Sequence, residues 1–180
     1  MKQEYPRPEI LIVKKPIDIF FEMVALLCIV FMWGFCIYHF NSLPEIIPTH
    51  YGTSGNADDY GSKKTLFLIP FIVTIIVLGM RWLNRYPHKF NYMTAITEEN
   101  AERQYRMATR LIRYLQFILS VLFTYITVKV VEDAYVKESK LDIWFVFILE
   151  AAIFLPTVYT VYAALKSKKS KVKNQNSSSE

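Results

Sequence analysis

The chain has 180 residues, 53% hydrophobic and 16% aromatic, with 21% charged and a formal net charge of +5. That composition excludes a wholly disordered chain, and the length suits one domain of roughly 100–200 residues. Cys28 and Cys36 share one apolar run. On a helix they stand about 12 Å apart, beyond the roughly 7 Å reach of a disulfide, so neither a disulfide scaffold nor a Cys-based zinc site is expected.

The apolar residues fall in four blocks: 17–40, 65–83, 111–131 and 143–165. Each is about 20 residues, enough to cross a hydrocarbon core of roughly 30 Å. Polar residues do not recur every third or fourth position, as a soluble bundle would require. An all-α integral membrane protein with four transmembrane helices is therefore predicted. The first block lacks a small-x-small cleavage site and exceeds a typical signal-peptide core, so it is expected to stay as an uncleaved helix. Pro70 and Pro156 are expected to kink the second and fourth helices, with neighbours satisfying the freed carbonyls.

In chain order, residues 1–16 form a basic flank and 17–83 the first helix pair, joined by the connection 41–64. A loop and basic helix occupy 84–110, the second helix pair 111–165, and a Lys-rich, then Ser-rich tail 166–180 is expected to be disordered. Sixteen of the 21 basic residues lie in the two termini and the second connection. By the positive-inside rule both termini are expected to be cytoplasmic, with the first and third connections outside. The basic excess then faces anionic lipid, and nucleic acid is not an expected partner. Thr97 is a good N-cap for a helix that runs into the third span. Arg103, Arg106, Arg110 and Arg113 make a stripe along it, read as a solvated face reaching toward lipid phosphates.

The connection 41–64 is far longer than two antiparallel helices need, and long ordered loops tend to carry function. Pro44 and Pro48 stiffen it, and Gly52, Gly55 and Gly61 permit turns. His50, Asp58 and Asp59 could ligate a divalent metal, although one imidazole with two carboxylates is a thin ligand set. As a purely structural loop, Asp58 would cap a turn or pair with Lys63, and His50 would pack on Tyr51 or Tyr60. As a recognition surface, His50, Tyr51, Gly55, Asp58 and Lys63 would meet a peptide or protein ligand. Within the helices, Glu150 is expected to face the bundle, because a lipid-facing charge is costly, and Gln116 to make a packing contact.

The string Leu43-Pro44, Ile47-Pro48, His50-Tyr51, Gly55, Asp58, Tyr60-Gly61-Ser62-Lys63, followed by Thr65-Leu66-Phe67 and Pro70, resembles the signature of a bacterial membrane domain of unknown function. That domain also occurs in the immunity family for the sporulation-delaying toxin. Gly52 stands where the family usually has Asn, and Ala57 where it often has Pro. The resemblance implies a multi-pass protein of the bacterial plasma membrane and no defined chemistry. The reading adopted is a non-enzymatic protein without a cofactor, whose outer loop recognises a ligand in an immunity- or signalling-like role. The alternatives are a metal-dependent membrane enzyme using His50 and Asp58, and a transporter subunit using Glu150, which would need a homo-oligomer.

Overall fold

A computed structural model describes residues 7–136 and 142–176, with side chains between 144 and 162 in the last stretch. The order of elements is α1 (Pro16–Phe40), β1 (Ile46–Tyr51), β2 (Ala57–Ser62), a 3-10 turn (Lys63–Phe67), α2 (Leu68–Leu83), a second 3-10 turn (Pro87–Lys89), α3 (Glu98–Ala134) and α4 (Ile143–Asn176). Four of the helical segments are long and apolar enough to cross a membrane. The protein is thus mostly helical, with one small two-stranded sheet in the connection 41–64, where the residue pattern predicts only a long loop.

Local chemistry sets the helix ends. Pro16 opens α1, where a missing N–H costs nothing, and Asp18 Oδ2 accepts from the Lys15 N–H at 2.8 Å. Asn100 Oδ1 caps the Thr97 N–H at 3.0 Å at the start of α3, which then runs unbroken for 37 residues. Pro70 falls in the first turn of α2, just after the 3-10 turn, so its missing donor belongs to the helix start and not to the helix interior. Pro156 does lie inside α4. The carbonyl it orphans, that of Ala152, accepts the Tyr114 hydroxyl of α3 at 2.9 Å. The fourth helix continues to Asn176, into the stretch expected to be the disordered tail.

The long α3 is the hub, touching α1, α2, α4 and β1. Core packing falls into three layers. At one end of the bundle Cys36, Leu43, Ile47, Leu66, Val130 and Val131 pack under the β-hairpin. Ala25, Ile29, Met32, Val73 and Val77 form the middle layer. At the other end Ile96, Ala101 and Tyr105 pack against Ile12 and Tyr92. We call these the hairpin end and the basic end. Outward faces of the helices carry large exposed apolar side chains such as Phe20, Leu27, Val30, Phe71 and Ile75, as a lipid-solvated surface would.

The described part of the N-terminal flank is an extended strap across the basic end. Arg7 donates to the carbonyls of His88 (3.0 Å) and Phe90 (2.5 Å), and the Tyr105 hydroxyl donates to Pro8 O at 3.1 Å. Burial beside these rings pushes the Tyr92 phenol well above its ordinary value, with Tyr105 adding to the shift and Arg7 opposing it.

Candidate functional site

The connection between α1 and α2 folds as an antiparallel hairpin, pairing Ile46 with Ser62, Ile47 with Gly61 and Pro48 with Tyr60. Its register breaks on either side of His50, which pairs with Asp59, and resumes at Tyr51 with Ala57. Alternation drives Ile47 into the core at 1% exposure while Ile46 stays outside. The turn is closed by Gly55 N–H to Gly52 O and Gly52 N–H to Asn56 O, each 2.9 Å. Gly55 has φ of 83°, a left-handed conformation that favours glycine.

Three contacts fasten the hairpin to the bundle. The Tyr51 hydroxyl donates to Asp133 Oδ2 on α3 at 2.9 Å, and Ser42 Oγ lies 2.8 Å from the Tyr135 hydroxyl. Lys63 ties down the base, 3.0 Å from Glu45 Oε1 and 3.3 Å from Leu43 O, with its ammonium over the Phe40 ring. Tyr51 and Lys63, expected among the ligand contacts, also take part in holding the hairpin in place. The expected alternative pairing of Lys63 with Asp58 does not occur, because Lys63 points to the base of the hairpin and Asp58 to its tip.

The exposed face carries His50 and Asp58, with Nδ1 to Oδ1 2.5 Å across the strands. Their side chains are 66% and 52% exposed, so the pair is presented rather than buried. A Cβ on Gly52 would come within 2.9 Å of Asp58 Oδ2, so the bare glycine gives the carboxylate room beside the turn. Asp59 Oδ1 instead accepts from the Tyr60 N–H at 2.9 Å. Among the described residues no group of three or more His, Cys, Asp or Glu side chains could hold a metal ion. His39, the nearest second imidazole by sequence, packs on the Phe35 ring, 4.4 Å between centroids. The surface offers an imidazole–carboxylate pair, the Tyr60 ring and the outer edge of β2.

The two intramembrane polar residues separate. Gln116 is buried and donates to Val77 O at 2.9 Å, a helix-packing contact. Glu150 is exposed on the outer side of α4. The expectation that it faces the bundle is corrected: α4 meets α3 through Phe145, whose ring centroid lies 3.9 Å from that of Tyr125, and through Ala152, and position 150 falls off that face.

Sequence reasoning missed an ion network at the basic end. Glu22 and Asp18 lie buried on α1, one turn apart. Glu22 receives Arg113 at 2.7 Å, Lys14 at 2.6 Å and Arg81 at 3.2 Å, and Asp18 receives Arg110 at 2.9 Å. Half of the α3 arginine stripe thus points inward, correcting its reading as a wholly solvated face. The available signal was two acids at i,i+4 on α1 opposite two arginines at i,i+3 on α3.

Residues 27–74 match the family model described as Domain of unknown function (DUF1648). The match runs from the middle of α1 through the hairpin into α2, and so covers the whole exposed site. An uncharacterized protein of Archaeoglobus fulgidus is 28% identical over 102 residues, covering 52% of this chain and 56% of that protein. The chain thus spans little more than half the length of this curated relative. That relative is archaeal, so the likeness is not confined to bacteria. No solved structure matches.

Proposed function

We propose that this is a non-enzymatic multi-pass membrane protein whose hairpin recognises a peptide or protein ligand outside the cytoplasm, in an immunity- or signalling-like role. Both termini and the basic end are on the cytoplasmic side in this reading, as the distribution of Lys and Arg favours. The observation that carries it is the contrast between the hairpin's fastened side and its open face. Lys63 and the neighbouring Ser42 hold the root and Tyr51 holds the turn end against α3, while His50, Asp58 and Tyr60 stand exposed.

An extended peptide has two kinds of group to meet there. The open edge of β2 presents backbone donors and acceptors, the mode by which a strand is added to a sheet. His50 with Asp58 offers a directional polar contact, and Tyr60, 52% exposed, an aromatic anchor.

A photoreactive amino acid placed at Tyr60 in intact cells tests the reading. The expected result is a discrete crosslinked species that disappears when His50→Ala and Asp58→Ala are added while membrane insertion is kept. Failure to form any specific adduct, or an adduct indifferent to both changes, contradicts it.

A further inference from the structure

Helix α4 packs on α3 and leaves a gap to α1, and at the basic end this gap is a cavity of about 500 Å³. Its apolar lining includes Phe21 of α1, Leu111 and Tyr114 of α3, and Tyr159 of α4, while Arg103, Arg106 and Arg110 line it further along α3. From Arg103 to Tyr114 the helix rises about 16 Å, passing from guanidinium groups to oily side chains. That gradient has the shape of an amphiphile.

The charges along it are unequally neutralised. Arg110 is held by Asp18 at 2.9 Å. Arg106 is paired with Glu102, an exposed carboxylate, and also donates to Val13 O at 3.2 Å. Arg103 has no carboxylate partner among the described residues. A cation with no carboxylate partner among the described residues, beside an apolar cleft where α3 passes from its polar start into the apolar span, suits an anion that itself has an apolar part.

We propose that the groove between α1, α3 and α4 holds an anionic phospholipid, its phosphate against Arg103 and Arg106 beside Tyr159 and an acyl chain running from there along Leu111, Phe21 and Tyr114. A free phosphate would use the arginines alone and leave the apolar cleft unused. The lipid uses both.

Native mass spectrometry of the detergent-solubilised full chain, titrated with dioleoyl phosphatidylglycerol or dioleoyl phosphatidylcholine, tests this. Phosphatidylglycerol should bind more tightly than phosphatidylcholine, and Arg103→Gln and Arg106→Gln should each weaken it about fivefold. Arg103 makes no ion pair among the described residues, and an unchanged helical melt verifies that its substitution leaves the fold in place. Leu111→Trp, which fills the apolar part of the cleft, should abolish the preference for phosphatidylglycerol. Arg85→Gln, at the same end but outside the groove, should leave affinity unchanged. The proposal is overturned if Arg85→Gln weakens binding as much as Arg103→Gln, or if Leu111→Trp has no effect. It also fails if inorganic phosphate displaces the lipid at equal concentration, which would make this a small-anion site.

Discussion

The hydroxyl of Tyr114 on α3 donates at 2.9 Å to the carbonyl of Ala152 on α4, the group that Pro156 deprives of its helical partner. A proline inside an apolar helix leaves a carbonyl that lipid cannot satisfy, and here a neighbouring helix supplies the donor. This bond also fastens the most exposed of the four helices to the hub.

Because the two residues act on one carbonyl, their substitutions should be coupled. Tyr114→Phe should destabilise the protein by about 1 kcal/mol, in line with hydrogen bonds inside membrane bundles. In a Pro156→Ala background the restored N–H satisfies Ala152, and the same change should cost almost nothing. Unfolding in mixed micelles measures both; equal losses in the two backgrounds would refute the coupling.

The network around Glu22 predicts an asymmetry. Glu22→Leu strands Arg113, Lys14 and Arg81 together, and should cost about 3–5 kcal/mol. Arg113→Leu leaves Glu22 with two cations and should cost clearly less. The same unfolding assay ranks them, and a larger loss for Arg113→Leu would count against the arrangement.

The two turn glycines should behave differently. Gly55→Ala forces a side chain into left-handed backbone, at a cost of roughly 1–2 kcal/mol. Gly52→Ala meets only the tip of the Asp58 side chain, so stability should barely change while the carboxylate is pushed away from His50. Recognition by the hairpin, followed by the Tyr60 crosslink, should fall in Gly52→Ala despite a normal melting temperature.

How much of this was legible beforehand varied with the physics involved. Four helices long and apolar enough to span, and the continuous α3, follow from residue pattern and capping, which are local. Gln116 as a packing contact followed from the cost of a lone amide in lipid. The hairpin was visible only as a long, stiffened connection, because Pro44, Pro48 and three glycines obscure a strand pattern. The inward arginines were missed because Asp18 and Glu22 lie some 90 residues away in sequence. Glu150 was misjudged since its burial depends on how α4 docks, which no local rule fixes.

Alkaline pH should weaken the basic end. Tyr92 has a raised phenol value in the folded state, so its contribution is whole below the ordinary tyrosine value of about 10 and is lost as pH climbs above it. Melting temperature should therefore decline above about pH 10, less steeply in Tyr92→Phe, whose ring cannot ionise. Identical profiles for the two proteins would remove Tyr92 from the cause.

Everything said of recognition depends on which side of the membrane the hairpin tip occupies. In a background lacking Cys28 and Cys36, Ser54→Cys reports the tip and Arg85→Cys the opposite end. Treated as intact cells with a membrane-impermeant maleimide, Ser54→Cys should label fully and Arg85→Cys only after lysis. The reverse pattern, with Ser54→Cys protected until the cells are broken, would contradict an outward-facing hairpin.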